Sequence, residues 1–252
     1  MRLIITDNYE DLSRTAADMM AEVITAKPTA AVVVATGSTP MGVYRELAAR
    51  RRDGGLDTTR LRVFQLDAYL GLAPNDRRSL YGWMERSFLD PLGVPSEQVI
   101  RLHGDAPDPV AACQAYDQAV AEAGGFDLAI LGLGPNGHLG FNEPPSEPDA
   151  PTRVVDLTEE SLISNASYWG SRDDVPHQAL TAGMAVLLAA HTIILVVSGA
   201  HKHDFLRQTV EGPVTPAVPA SFLQRSSGAI IIADRSAWHG NKDAHHAGAL
   251  WA

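Results

Sequence analysis

The sequence is poor in cysteine, in basic charge and in long apolar runs, and each shortage narrows what the protein can be. One cysteine in 252 residues, Cys113, excludes an intramolecular disulfide. It sits in an alanine-rich helical pattern over 110–120, where packing is its expected role. No apolar run approaches the ~20 residues that cross a bilayer. The N-terminal stretch 1–6 passes straight into the acidic segment 7–11 with no signal-peptide core or cleavage site, so a cytoplasmic protein is expected. Lys and Arg number 20 against 30 Asp and Glu, a formal net charge of -10. That field opposes nonspecific contact with nucleic acid or an anionic membrane, and neither is expected as a partner. It also repels any small phosphorylated ligand, which then needs aimed backbone amides and a well-placed lysine or arginine.

What is present is an ordinary globular composition, 45% hydrophobic and 20% charged, in a length that suits one domain. Near-continuous apolar runs rich in β-branched residues recur at 3–6, 30–36, 61–66, 126–133, 192–198 and 229–233, as strands buried on both faces require. Helical spacing fills 9–27, 41–53, 79–90, 108–123, 181–190 and 202–210. This alternation predicts an α/β fold with a doubly wound, mostly parallel, Rossmann-like sheet and helices on both faces. Ligands of such sheets bind in the crevice beyond the carboxyl ends of the strands. Residues 1–235 are expected to form the single domain, and 236–252 a loosely ordered tail whose His245 and His246 are not a metal site. The Pro-rich stretches 144–151 and 213–219 read as a lid or as surface loops.

Three loops after strands carry the candidate chemistry. Thr36-Gly37-Ser38-Thr39-Pro40 joins the strand at 30–36 to the next helix. Small residues there let backbone amides approach an anion, and Pro40 suits the first helical position. An ordinary capped turn is the alternative. The stretch is neither a Walker A sequence nor a dinucleotide fingerprint. Asp67 follows the strand at 61–66, where a carboxylate can act as a base or merely support a turn. The loop Gly132-Leu133-Gly134-Pro135-Asn136-Gly137-His138-Leu139-Gly140-Phe141-Asn142-Glu143-Pro144 brings a histidine and a glutamate to the same crevice. A histidine backed by a carboxylate shuttles protons near neutral pH, whereas in a purely structural loop it is only a satisfied polar group.

The 132–144 segment resembles the signature of the glucosamine-6-phosphate deaminase family, and 36–40 and 66–71 resemble that family's other two motifs in order and spacing. The resemblance spans residues 1–235. It implies an enzyme acting on a phosphorylated amino sugar without metal or organic cofactor. Asp67 would move a proton from C2 to C1, and His138, oriented by Glu143 with Asn136 nearby, would open the pyranose ring. Thr36, Gly37, Ser38, Thr39 and Lys202 would hold the phosphate.

The chain departs from the family at several points. Ala68 replaces the common glutamate after the base, and Asn136 stands where Asp is frequent. The family's phosphate arginine falls at Ser167, which leaves Arg172 as a candidate substitute. The arginine and lysine of the allosteric members correspond to Arg153 and Val155, so activation by an N-acetylated sugar phosphate is not expected. Galactosamine 6-phosphate is the nearest alternative substrate. A 6-phosphogluconolactonase and a non-catalytic sugar-phosphate sensor are more distant alternatives; the latter would need a DNA-binding segment, and no basic helix-turn-helix is read before residue 30. A monomer or a small homo-oligomer is expected.

Overall fold

The computed structural model describes residues 1–240. Among the described residues the strands, in chain order, are β1 (Arg2–Thr6), β2 (Ala31–Val34), β3 (Arg62–Gln65), β4 (Asp67–Tyr69), β5 (Val99–Ile100), β6 (Leu128–Gly132), β7 (Arg153–Asp156), β8 (Gln178–Thr181), β9 (Thr192–Val197) and β10 (Ala229–Asp234). The helices are α1 (Tyr9–Ala26), α2 (Met41–Arg52), α3 (Leu80–Met84), α4 (Asp90–Leu92), α5 (Pro109–Glu122), α6 (Glu159–Trp169), α7 (Met184–Leu188), α8 (His203–Glu211) and α9 (Arg235–His239). No described helix is long and apolar enough to cross a membrane.

Seven strands form one sheet in the order β1-β10-β9-β6-β2-β3-β5, every neighbouring pair parallel. The chain starts this winding at β2, runs outward through β3 to β5, then returns to the other side of β2 and continues through β6, β9 and β10. The direction of winding reverses between β2 and β6, so the loops leaving those two strands diverge and open a crevice. The expected doubly wound sheet is the one observed, and all six expected strands belong to it.

Its stability follows from side chains buried on both faces. Val32 and Val34 pack with Leu12 and Met20 of α1 and Leu47 of α2. Ala31 and Val33 face the other way, into a cluster with Tyr116 and Val120 of α5. The period of two is that of a strand, and no polar face is left over. Cys113 belongs to this second cluster and is buried there.

Several features differ from the sequence expectation, among them the edge strand β5 and the helix α6, for which no segment was expected. A second, antiparallel sheet, β4-β8-β7, has strands of three or four residues and no long apolar run to announce it; β4 and most of β8 are buried, and β7 is partly exposed. The helical pattern at 181–190 begins only at Met184, because 178–181 is β8. The pattern at 79–90 runs through α3, a π-helical turn at Glu85–Leu89 and α4, ending at Gly93 in the left-handed conformation. Residues 236–239, expected at the start of a loose tail, belong to α9, because Asp234 accepts the Ala237 amide at 2.7 Å and Arg207 stacks over Trp238 at 4.5 Å. His245 and His246 lie outside the described residues.

The aromatic cluster under the sheet is a sensitive place to test this core. Phe64 is 1% exposed and meets Tyr116 and Phe126 edge-on at 5.9 and 5.2 Å. Phe64→Ala is expected to cost about 3–5 kcal/mol in urea-induced unfolding; a loss under 1 kcal/mol would mean that the site collapses around the deletion.

Candidate active site

A single cleft of about 700 Å³ opens where β2, β3, β6 and β9 end, and Asp67, His138, Lys202 and the whole 36–39 segment line it. Residues brought in by four separate strands thus share one wall. Asn136 and Glu143 stand behind His138. The two Pro-rich loops do not line the cleft; they meet each other instead, through the Ser146 amide and the Pro216 carbonyl at 3.1 Å, and neither is a lid over it.

The 36–40 loop differs in detail from its expected form. Pro40 is the cap residue of α2, one position before the first helical residue, and neither Ser38 nor Thr39 caps the helix through its side chain. The Tyr9 hydroxyl, from α1, does this work: it accepts the Gly42 amide at 2.8 Å and lies 2.9 Å from the Thr39 carbonyl, to which it donates. Gly37 has φ +118°, a conformation that strains any side chain. Among the described residues the Gly37, Ser38 and Thr39 amides and the Thr36, Ser38 and Thr39 hydroxyls have no hydrogen-bond partner, so donors aimed at the cleft remain free.

Two carboxylates at the site are equally buried and oppositely tuned. Asp67 and Glu143 are each 8% exposed. Asp67 begins β4, opposite Thr181 of β8, at the point where the chain leaves the large sheet for the small one. Its backbone carbonyl accepts Gln65 Nε2 at 2.7 Å, but among the described residues its carboxylate has no partner, and burial pushes its pKa up to about 7. Burial also acts upward on Glu143. There it is outweighed by the hydrogen bond and charge of His138, with Ser161 and Asn136 adding to them, and the pKa falls to about 2.

His138 Nδ1 lies 2.8 Å from Asn136 Oδ1 and 3.0 Å from Glu143 Oε2. Both are acceptors, so Nδ1 carries the proton and Nε2 is the nitrogen left for a ligand. Asn136 Nδ2 donates to Glu143 Oε2 at 2.8 Å and to Thr158 Oγ1 at 3.1 Å, which fixes the amide's orientation. A flipped amide would set its oxygen against the carboxylate. Gly134 underlies the imidazole so closely that a Cβ there would come within 2.3 Å of Nε2.

The local charge is opposite to that of the whole chain. Asp67 is the one acidic residue on the cleft wall, against Arg45, Arg78 and Lys202. Lys202 ends a short 3₁₀ turn after β9 and is half-buried, which lowers its pKa. The loop before it is held by Asp234, which accepts the Ser198 hydroxyl and the Gly199 amide. Arg45, one turn into α2, makes no ion pair among the described residues, whereas Arg78 is paired with Asp76 and stacks over Trp169. The sequence reading missed Arg45, Tyr9 and Thr158, none of which sits in a recognisable motif.

Arg172, suggested as a substitute for the arginine missing at Ser167, is not in the cleft. It pairs with Glu159 and Asp173 on the surface, and Ser167 does not line the cleft either. Arg153 is turned inward, donating to Asn142 Oδ1 at 2.7 Å and to Ser146 Oγ at 2.9 Å. Trp83, Tyr168 and Trp169 supply an aromatic wall, with Trp83 and Tyr168 edge-on at 4.9 Å.

The raised Asp67 pKa has a stability consequence whose sign is fixed. The folded chain holds a proton that the unfolded chain releases between its ordinary carboxylate range and about pH 7, so this group costs stability as pH rises through that window. Asp67→Asn is therefore expected to be more stable than the parent at pH 8, on the order of 2–4 kcal/mol, with the difference closing towards pH 4. Chemical denaturation at both pH values measures it, and a gap independent of pH would refute the assignment.

The family of glucosamine-6-phosphate isomerases and 6-phosphogluconolactonases matches residues 6–232 of the chain. A glucosamine-6-phosphate deaminase of Halothermothrix orenii is 40% identical over 237 residues, covering 94% of this chain and 98% of the relative. Among solved structures, a monomeric glucosamine-6-phosphate deaminase superposes with a TM-score of 0.92 at 36% identity, covering 94% of this chain and 98% of that one. A 6-phosphogluconolactonase from Trypanosoma cruzi, at 19% identity and a TM-score of 0.77 over 94% and 95% of the two chains, shares the fold. The winding of the sheet, the loops that end its strands and these likenesses agree: the chain belongs to the glucosamine-6-phosphate isomerase/6-phosphogluconolactonase family.

Proposed function

We propose that the protein is an aldose–ketose isomerising deaminase that converts glucosamine 6-phosphate and water to fructose 6-phosphate and ammonia, acting as a single domain. The observation that carries this reading is the unpaired, buried Asp67, with a pKa of about 7, on the wall of the cleft that also holds a histidine of fixed tautomer. A base whose pKa lies near the working pH is at once ionised enough to accept a proton and basic enough to hold one.

In this reading His138 Nε2 takes the proton of the anomeric hydroxyl and returns it to the ring oxygen as the C1–O5 bond breaks. Glu143 stabilises the imidazolium between those two steps, and Asn136 holds the pair in register. Asp67 then removes the proton from C2 of the open-chain aldehyde while the carbonyl oxygen gains one, forming an enolamine. Return of the proton from Asp67 to C1 gives the ketimine. Water adds at C2, the C2–N bond breaks, and ammonia and the ketose phosphate leave.

The phosphate dianion sits against the free amides and hydroxyls of Thr36, Gly37, Ser38 and Thr39, with Lys202 opposite. The excess of cations on the cleft wall supports an anionic substrate despite the net charge of the chain. The high likeness to deaminases, one of them monomeric, favours this chemistry and a monomer or small oligomer. Arg153, spent on internal partners, favours the absence of activation by an N-acetylated sugar phosphate.

Ammonia release from glucosamine 6-phosphate and its galacto epimer, run beside hydrolysis of 6-phosphogluconolactone, tests the proposal. Ammonia is expected fastest from the gluco substrate, and lactone hydrolysis without ammonia would overturn the reading. The kcat/KM profile is expected to rise through about pH 7 as Asp67 ionises. Asp67→Asn should lower kcat by about 10²–10⁴-fold and stop solvent exchange of the C2 proton while leaving substrate binding intact.

Lys202→Ala should raise KM about 10- to 100-fold with a smaller change in kcat, because a charge-assisted phosphate contact is made in ground and transition states alike. An unchanged KM would place the anion site elsewhere.

A further inference from the structure

Thr158, at the start of α6, touches both the His138 network and the wall of the cleft. Its hydroxyl accepts Asn136 Nδ2 at 3.1 Å and lies 3.3 Å from Glu143 Oε2, to which it donates. The same oxygen is the side-chain cap of α6, accepting the Ser161 amide at 3.4 Å. One proton and two lone pairs are thereby all used. Glu143 Oε2 in turn receives three donors: Asn136 Nδ2, His138 Nδ1 and Thr158 Oγ1. From Ser161 to Trp169, α6 supplies five residues of the cleft wall, so the helix that bounds the substrate space begins on the hydroxyl that holds the carboxylate behind the histidine.

We infer that Thr158 is a positioning residue: its hydroxyl locks Glu143 against His138 Nδ1 and ties the α6 wall of the cleft to that pair. The physical argument is one of competing orientations. Glu143 is a buried carboxylate whose other oxygen, Oε1, makes no hydrogen bond within 3.5 Å among the described residues, although the Ser161 hydroxyl also acts on the carboxylate. A partial rotation about its terminal bond would carry Oε2 out of line with Nδ1, and Thr158 supplies the one donor to Oε2 that comes from outside the 132–144 loop. With Oε2 fixed, the imidazole has a single preferred tautomer, and Nε2 presents a lone pair to the cleft. Without the hydroxyl, Oε2 keeps donors only from a loop built on several glycines and the Asn136 amide loses one of the two acceptors that orient it, so the amide can turn its NH₂ towards Nδ1 and admit the other tautomer. A cap role alone predicts nothing about the histidine.

The inference rests on the proton-shuttle reading of His138, and its test separates the two. Thr158→Val keeps the shape and removes the hydroxyl, Thr158→Ser keeps the hydroxyl, and Thr158→Gly removes the hydroxyl while retaining most of the helix-cap stability. Long-range ¹H–¹⁵N spectra of the imidazoles, with His138 assigned by its loss in His138→Gln, report which nitrogen is protonated. The parent and Thr158→Ser are expected to show the Nδ1–H form, and Thr158→Val and Thr158→Gly a mixture of both forms. Steady-state ammonia release should then show kcat about 10- to 100-fold lower in the Val and Gly variants, with KM changed less than about twofold and the Ser variant restored. A cap effect alone would instead lower Tm by about 2–4 °C in Thr158→Val, little in Thr158→Gly, and leave the tautomer untouched. That outcome, or parental kcat in Thr158→Val, overturns the inference. If the parent released no ammonia, the proton-shuttle reading would fall, and the imidazole spectra would still decide whether Thr158 sets the tautomer.

Discussion

The reversal of winding between β2 and β6 is the constraint on which the site depends. Two adjacent parallel strands send their chains to opposite faces of the sheet, and the gap left at their carboxyl ends cannot be filled by either following helix. Into that gap the chain places a loop of free amides after β2 and a glycine-rich loop after β6. The strands beside them, β3 and β9, deliver Asp67 and Lys202 to the same opening. The rest of the molecule serves mainly to make that sheet rigid, with an apolar layer on each face.

Within the crevice, burial acts upward on both carboxylates and partners decide which of them it moves. Asp67 and Glu143 have the same exposure, yet their pKa values move in opposite directions because one faces the cleft alone and the other faces an imidazole. An unpaired buried carboxylate weakens the fold at neutral pH, and such groups persist where reactivity requires them. The small antiparallel sheet is what makes that placement possible. By carrying the chain away from β3 at Leu66, it turns Asp67 out of the regular strand and over the opening.

The fold itself does not choose the reaction. A lactonase of 19% identity shares it with a TM-score of 0.77, and the same crevice can serve different chemistries according to what its loops present. Here the loops present an acid–base pair of distinct environments and a locally positive wall in an acidic protein. Arg45, Arg78 and Lys202 outnumber Asp67 among the described charged residues of that wall, although the chain as a whole is acidic. The closure of the wall by α6 brings Tyr168 and Trp169 against Trp83 and Arg78, an apolar and cationic surface that no single segment contains.

The parallel sheet was legible in the sequence because strands buried on both faces must be apolar at consecutive positions, and runs such as Ala31 to Val34 or Thr192 to Val197 permit little else. The Gly132 to Pro144 segment was legible for a related reason: close backbone approach demands glycine, and glycine at several positions beside a histidine and a glutamate is rare by chance. The antiparallel sheet was not legible, since its strands are only three or four residues long and owe their pairing to neighbours far along the chain. Nor were Tyr9 and Thr158, whose contacts reach across 33 and 15 to 22 residues of sequence, nor Arg45, whose place on the cleft wall is set by the packing of α2. Periodicity and glycine spacing record what the backbone must do locally. Which hydroxyl meets which carboxylate depends on how separate elements pack, and that only the tertiary structure decided.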